Sequence, residues 1–409
     1  MADNGRGGPM IESLKRKLLD KLAGEVHFDL FSRGRYATDA SIYQMMPLGV
    51  VIPRGIDDLR RTLDIAREEG IPILPRGGGT SQCGQTVNEA LVIDNSKYLN
   101  RILELDAVGR RCVVEPGIVL DELNRVLKPH GLWFPVDVST SSRATIGGMT
   151  ANNSCGSRSI RYGLMRDNVL GIDALLANGL EARFGPTDRH ARRINDPSHK
   201  EELLDRLFAL GDRERDEIAV RFPKVMRRVG GYNIDALVPN GAQNNLAHLL
   251  VGSEGTLAYS TKIELQLSSL PKNKVLGLCH FPTFYDAMDA AQHLVRLGPT
   301  AVELIDKTMI DLARDIPLYR KTIEAFVRGE PEALLMVEFA EEEQSENLKR
   351  LKQLSEQMGD LGFSWENPPS KRGGVIEAID PGLQSDIMEV RKSGLNIMMS
   401  MKEERKPIS

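Results

Sequence analysis

Apolar and polar positions alternate along the first hundred residues in short blocks. Leu48-Gly-Val-Val-Ile52 is an apolar, β-branched run that predicts a strand. After a break at Pro53-Arg-Gly55, Ile56, Leu59, Leu63 and Ala66 recur at helical spacing, with Asp57, Arg60, Arg61 and Glu68 on the other faces. Gly70 stands where such a helix would end. Ile71-Pro-Ile-Leu74 predicts a second strand, closed by Pro75, and Leu91-Val-Ile93 a third. The strand–helix–strand order predicts a parallel pair with a right-handed crossover. Upstream, Ile11–Leu22 reads as a short charged amphipathic helix.

The texture then changes. Ile102–Leu105 and Arg111–Val114 predict two short strands around a turn at Asp106-Ala-Val-Gly109. Leu120, Leu123, Val126 and Leu127 predict a helix that stops near Pro129 and Gly131. Residues 135–168 are rich in Ser, Thr, Asn and Gly and read as a long irregular segment, anchored by Ile146, Met149, Ile160 and Leu164. The charge-rich stretch 186–245 predicts solvent-side helices, and Ile263–Leu267 alternates as a half-buried strand should. Pro271-Lys-Asn-Lys274 marks a domain boundary. Beyond it, strand-like Val275–Cys279, helices over 286–296 and 306–314, strand-like Ala333–Phe339 and a charged helix over 341–358 give a β-α-α-β-α order, which predicts a second, α+β domain. Arg405-Lys-Pro-Ile-Ser409 reads as a half-begun strand.

A chain of 409 residues suits two or three domains. Lys plus Arg is 53 and Asp plus Glu is 57, so the formal charge is −4 and a nucleic-acid partner bound through bulk charge is not expected. No apolar run reaches the roughly 18 residues that span a bilayer. No secretory signal is recognisable, so a cytoplasmic protein is expected. Cys83, Cys112, Cys155 and Cys279 lie at least 29 residues apart, which excludes CxxC spacing. The seven histidines, His27, His130, His190, His199, His248, His280 and His293, show no ligand spacing either, so no metal site is expected.

The sharpest local feature is Pro75-Arg-Gly-Gly-Gly-Thr-Ser81, directly after a predicted strand. Gly77, Gly78 and Gly79 let successive backbone N–H groups converge on one anion, with hydroxyls from Thr80 and Ser81 and charge from Arg76 nearby. A pyrophosphate suits such a cradle. The loop lacks the Gly-Lys-Ser/Thr ending of a Walker A loop, and Gln82 stands where the third Rossmann glycine would be. Alone, it also reads as a tight turn. Two further stretches share its texture. Ala144–Gly156 offers Gly147 and Gly148 for close approach to a planar ring, and Thr145, Asn152, Asn153 and Ser154 for ring or ribitol hydroxyls. Val251-Gly-Ser-Glu-Gly-Thr-Leu257 reads, in isolation, as a strand-to-loop turn. Three such segments over 180 residues fit one extended dinucleotide better than three unrelated turns.

Together with Val-Glu-Pro-Gly (114–117), Ile-Gly-Gly-Met (146–149) and Arg-Tyr-Gly (161–163), these motifs resemble the FAD-linked oxidases of the vanillyl-alcohol oxidase and p-cresol methylhydroxylase type. The branch they resemble most holds the glycolate oxidase FAD subunit, D-lactate dehydrogenase and D-2-hydroxyglutarate dehydrogenase. The resemblance covers roughly residues 35–400. It implies an α+β architecture: a two-lobed FAD-binding domain over 1–268, with lobes at about 35–98 and 99–268, then a cap (substrate) domain over 269–409. It places the FAD pyrophosphate at Gly77–Ser81 with Arg76 among the cofactor-binding residues, the flavin along Asp137, Thr145, Gly147, Gly148, Asn153 and Gly156, and the adenosine half near Glu254 and Gly255. Covalent relatives carry a His just after the glycines of the first loop. Thr80-Ser81-Gln82 stands there instead, which implies non-covalent FAD.

The reaction implied is hydride transfer from a D-2-hydroxy acid such as D-lactate, glycolate or D-2-hydroxyglutarate to flavin N5. Electrons then leave for an iron–sulfur protein, quinone or cytochrome, which is compatible with peripheral placement at the inner membrane through such a partner. Arg391, in Glu389-Val-Arg-Lys-Ser393, and Lys406 align with the family's two substrate-carboxylate positions. Arg suits that task because its planar fork binds a carboxylate bidentately. Metal-dependent relatives place a His pair and an acidic residue further along the cap than Ser409. The expectation is therefore an incomplete cap, with weak or absent turnover in isolation and any iron–sulfur cluster in a missing C-terminal part or partner. The alternatives are a flavin-binding electron-transfer subunit completed by a partner, or a non-redox relative such as an alkyl ether-lipid synthase.

Overall fold

The computed structural model describes residues 8–189, 200–238, 244–365 and 372–399. The chain divides into two compact units, Met1–Gly156 with Gly163–Ser269, and Ser157–Tyr162 with Leu270–Ser409.

The first unit opens with α1 (Gly8–Lys21), β1 (Glu25–His27), α2 (Leu30–Arg35), β2 (Gly49–Ile52), α3 (Ile56–Glu68), β3 (Ile73–Arg76) and β4 (Leu91–Asp94). These strands form a sheet in the order β1-β2-β4-β3, with β1 antiparallel to β2 and the other three parallel. The pair β2 and β3 run in the same direction as predicted, but they are not neighbours, because β4 lies between them. Burial explains the order. Every residue of β2 and β4 is buried, so these apolar runs take the centre, while the partly buried β3 takes an edge. Leu14, Leu18, Val51, Ile65 and Leu91 join α1, α3 and the sheet in one apolar cluster.

The chain continues with β5 (Ile102–Asp106), β6 (Arg111–Val114), α4 (Leu120–Leu127), β7 (Leu132–Trp133), α5 (Ile146–Asn152) and α6 (Ser159–Tyr162). Then come α7 (Met165–Asn168), β8 (Val169–Leu175), β9 (Glu181–Phe184), β10 (Pro186–Thr187), α8 (Lys200–Arg213) and α9 (Arg215–Arg221). The unit ends with β11 (Asn244–Asn245), α10 (Ala247–Leu250), β12 (Tyr259–Gln266) and β13 (Ser268–Ser269). An antiparallel sheet in the order β5-β6-β12-β8-β9 carries the larger core, in which Leu123, Met149, Ile172, Phe208, Leu250 and Ile263 meet.

Two segments differ from what their sequence predicts. The segment read as irregular contains α5. Thr145 caps that helix by accepting from Gly148 N, and Asn153 ends it in the left-handed region, so the glycines inside do not prevent it. Leu246–Val251 enters its turn from the short helix α10 and not from a strand.

The second unit holds β14 (Val275–Phe281), α11 (Phe284–Leu294), β15 (Ala301–Asp306), α12 (Lys307–Asp315), α13 (Pro317–Phe326), β16 (Ala333–Phe339), α14 (Gln344–Asp360), β17 (Gly374–Ala378) and α15 (Pro381–Met399). Its sheet is antiparallel, in the order β15-β16-β14-β17. Alternate residues of β14 and β16 enter two separate cores. Cys279, Phe281, Leu335 and Val337 pack with α11 and α14, while Leu276, Leu278, Leu334 and Met336 pack with α12, α13 and α15. A sheet covered on both faces explains why both central strands are apolar throughout. The β-α-α-β-α expectation is thus too short, because it omits β15, α13, β17 and α15. The edge strand β15, Ala301-Val-Glu-Leu-Ile-Asp306, is only partly buried and carries acidic residues. The expected strand at Arg405–Ser409 lies outside the described residues.

Candidate functional site

The three donor-rich segments picked out in the sequence come together in the first unit. Gly77, Gly78 and Gly79 follow β3 directly. A Cβ on Gly77 would run into Thr145 Oγ1, and one on Gly78 into the Arg143 backbone carbonyl. Gly79 takes a φ of +63°, a conformation natural to glycine. The first loop is therefore pressed against the start of α5 by glycines that no other residue can replace without displacement. Among the described residues, the backbone N–H groups of Gly77, Gly78, Gly79 and Thr80 donate to no protein acceptor. Four successive amides that no protein acceptor takes, two of them held by tight glycine contacts, are free to receive an anion.

Arg76 has a different task from the one expected. Its guanidinium donates to three backbone carbonyls, of Tyr36 at 3.2 Å, Thr86 at 2.9 Å and Thr38 at 2.8 Å, and lies over the Tyr36 ring. Burial lowers its pKa, and Asp94 and Asp39 oppose that shift. Arg76 ties down the loop's surroundings while leaving the amides to meet a ligand. Ser81 Oγ donates to Gln85 Oε1.

The second segment is fixed from below. Gly147 N donates to Pro116 O at 2.7 Å, and a Cβ on Gly147 would strike Pro116. Glu115, beside it, is buried and accepts from Arg101 N, Nε and Nη2 at 2.9, 3.1 and 2.8 Å. The Val-Glu-Pro-Gly motif is thus a clamp beneath α5. Gly156 is pressed against the Asp137 carbonyl, and its own carbonyl accepts from Arg227 Nη2 at 2.6 Å.

The third segment closes on the second. Gly252 N donates to Thr150 O and Glu254 N to Ala151 O, both at 2.9 Å, and Asn152 Nδ2 donates to Glu254 Oε1 at 3.0 Å. Glu254 holds a φ of +51°, rare for a side chain of its kind. Burial raises the pKa of its carboxyl, against hydrogen bonds from Asn152 and Gln85. Gln85 therefore reaches both Ser81 and Glu254, joining the first and third segments. Gly255 approaches Pro75 at the end of β3. Asn153 Oδ1 accepts from Arg166 N at 3.0 Å, and Arg166 and Arg228 share Asp235. Burial would raise the Asp235 pKa, but those two arginines hold it low.

Gln85, Arg143, Asn233 and Arg227 were not read from the sequence as site residues. Asn233 Nδ2 supports Val251 O at 2.8 Å. Their contribution depends on contacts across long stretches of chain, and no local pattern signals it.

Arg391 is described on α15, and Lys406 lies outside the described residues. The Arg391 fork is already engaged: Nε meets Glu303 Oε2 at 2.5 Å and Nη2 meets Glu303 Oε1 at 2.6 Å. Glu303 projects from β15 and was not picked out in the sequence. The Arg-Tyr-Gly motif also divides. Within the second unit, Arg161 pairs with Glu341 at 2.7 and 2.9 Å, and Arg158, just upstream, pairs with buried Glu338 at 2.8 and 2.9 Å. Gly163 belongs to the first unit. Among the described residues, no group of His, Cys, Asp and Glu could hold a metal ion, and no helix is long and apolar enough to cross a membrane.

A dinucleotide with a pyrophosphate at its centre fits the first unit: partnerless amides at Gly77–Thr80 for the anion, and polar side chains from two further segments beside them. Comparison with known proteins identifies this class. Residues 47–185 match the FAD binding domain family, and residues 270–408 match the C-terminal domain of FAD linked oxidases. The chain belongs to the FAD-linked oxidases of the p-cresol methylhydroxylase type, and its cofactor is FAD.

Within that family the chain is similar to the D-2-hydroxyglutarate dehydrogenase of Pantoea ananatis (strain AJ13355), with 32% identity over 412 residues, 97% of this chain and 39% of that protein. It is 33% identical over 332 residues to the D-2-hydroxyglutarate dehydrogenase of Pseudomonas putida (strain KT2440), covering 79% of this chain and 33% of that one. It is 30% identical over 316 residues to the glycolate oxidase subunit GlcD of Bacillus subtilis (strain 168), covering 75% and 56%. The chain thus spans about two fifths or less of the length of the dehydrogenases named. A solved alkyldihydroxyacetonephosphate synthase shares the fold, with a TM-score of 0.64 and 17% identity over 96% of this chain and 65% of that one.

Proposed function

We propose that this chain is the flavin-binding part of a dehydrogenase that oxidises a D-2-hydroxy acid to the 2-oxo acid. FAD, when bound, supplies the hydride acceptor. The chain's own residues hold and orient. The amides of Gly77–Thr80 bind the pyrophosphate, without a covalent link, since Thr80-Ser81-Gln82 offers no attaching histidine. Asp137 and the Thr145–Gly156 segment would hold the flavin, and the Glu254–Gly255 turn would hold the adenosine half. Arg391 and Lys406 take the substrate carboxylate, which fixes the C2 carbon for hydride loss. An iron–sulfur centre, quinone or cytochrome of a partner would take the electrons onward, in the cytoplasm or beside the inner membrane.

The observation that carries this reading is the run of four partnerless amides packed on Thr145 and Arg143. The names of the relatives, D-2-hydroxyglutarate dehydrogenase and glycolate oxidase subunit, supply the substrate class. The test is an anaerobic titration of the yellow protein with D-2-hydroxyglutarate, D-lactate and glycolate. Loss of the flavin absorbance with one of them supports the reading. A flavin that dithionite bleaches but no 2-hydroxy acid does would leave a second reading, an electron-transfer subunit. The engagement of Arg391 by Glu303 favours that second reading, because the fork is filled from within.

A further inference from the structure

Beside α15 the second unit encloses an open cavity of about 290 Å³. Ser385, Met388, Glu389 and Lys392 line it from one helical face, at spacings of three and four residues, and Lys274 and Arg158 line it from outside the helix. Ile387 and Val390, on the other face of α15, belong to the core.

The charges of this cavity do not cancel. Arg158 is held by both oxygens of Glu338, a residue buried in β16, so that pair is neutral. Among the described residues, the ammonium groups of Lys274 and Lys392 form no hydrogen bond or ion pair, and neither does Glu389. Two ammonium groups against one carboxylate leave an excess positive charge. Lys274 is also half-buried. Burial pushes its pKa down, Arg158 and Lys392 push it further, and Glu338 offsets only part of this. A half-buried cation without a partner is unfavourable, and an anion arriving beside it removes that cost.

We propose that this cavity binds a small oxyanion, a phosphate or the carboxylates of a short diacid, between Lys274 and Lys392, with the Ser385 hydroxyl as a further donor. The volume lies just below the roughly 300–1,000 Å³ of drug-sized ligand pockets, so it suits such an ion and not a nucleotide. The site stands independently of hydroxy-acid oxidation: its donors are neither those of the glycine cradle nor Arg391.

The test is calorimetric titration of the flavin-loaded chain with inorganic phosphate and, separately, with glutarate, at constant ionic strength set with chloride. Saturable binding of either is expected, and which one binds tells phosphate from carboxylate. Lys274→Met and Lys392→Gln should each weaken it about tenfold or more, the loss of one charge-assisted hydrogen bond. Glu389→Gln should tighten it by removing the opposing charge. Lys392 is exposed, so its variant decides the matter if Lys274→Met fails to fold. No saturable heat with either anion, or affinity unchanged in the lysine variants, overturns the proposal.

Discussion

Arg391 and Glu303 face each other fork to fork, with N–O distances of 2.5 and 2.6 Å and side-chain exposures of 28% and 12%. Glu303 lies opposite Met336, and Glu338 lies opposite Ala301, so the two glutamates are diagonal neighbours on one face of the sheet. Each holds an arginine, Arg391 in one case and Arg158 in the other. Under the proposed function, a substrate carboxylate competes with Glu303 for the Arg391 fork. Glu303→Gln is therefore expected to lower the hydroxy-acid concentration that half-bleaches the flavin. Arg391→Ala is expected to abolish bleaching while FAD stays bound. It should also cost roughly 1–3 kcal/mol of stability, because Glu303 loses its partner in a partly buried place. Bleaching by Arg391→Ala at the concentrations that bleach the parent chain would remove Arg391 from the site.

The cradle gives a steric prediction. Gly78→Ala places a methyl group against the Arg143 carbonyl, a backbone atom that cannot rotate away. FAD affinity is expected to fall by about tenfold or more, since the amide row must shift to make room. The amount of flavin retained through gel filtration, compared with the far-ultraviolet circular dichroism of the same sample, checks this.

Thr145 serves both the helix and the loop. Its Oγ1 accepts from Gly148 N at 3.3 Å as the cap of α5 and stands against Gly77. Thr145→Ala is expected to cost about 1 kcal/mol of stability, as loss of an N-cap does. Thr145→Ser, which keeps the oxygen, should recover most of it. Urea midpoints of the two variants decide the point.

Acid should weaken the second unit through His280. Its Nδ1–H donates to Leu278 O at 2.8 Å and its Nε2 accepts from Arg328 N at 3.0 Å, so the ring is held neutral between two backbone groups. Burial lowers its pKa from 6.5 to about 4. The unfolded chain therefore takes up the proton first as pH falls. The stability that neutral His280 contributes is complete above about pH 6.5 and is lost progressively down to about pH 4, by up to roughly 3 kcal/mol. His248 is lowered to about 4 as well, again mainly by burial. His280→Gln is expected to flatten the slope of second-unit stability against pH in this window, read from denaturant midpoints at several pH values.

Much of this architecture was legible because burial and local pattern agree. Gly49–Ile52 and Leu91–Asp94 are buried on both faces and read as strands from composition alone. The glycine row at 77–79 reads alone as either a tight turn or an anion cradle, and the folded chain leaves its amides without protein acceptors among the described residues. What stayed hidden depends on distance along the chain. Nothing near Arg158 in sequence indicates that Glu338, 180 residues away, will hold it. Likewise Arg391 looked free for a substrate because Glu303 is 88 residues upstream, on a strand whose acidic residues masked it. Arg76 looked like a ligand-facing charge, and only the folded chain reveals the three carbonyls that occupy it. Helix α5 was obscured by Gly147 and Gly148, of which Gly147 is required by its contact with Pro116 and not by a break in the helix.

Whether the amides of Gly77–Thr80 hold the pyrophosphate of FAD is read by equilibrium dialysis of the flavin-stripped, refolded chain against FAD and against riboflavin. Equimolar, saturable uptake of FAD that denaturation releases intact is expected, with much weaker uptake of riboflavin, which lacks the diphosphate. Folded protein that takes up no FAD in excess, or that takes up both flavins equally well, would contradict it.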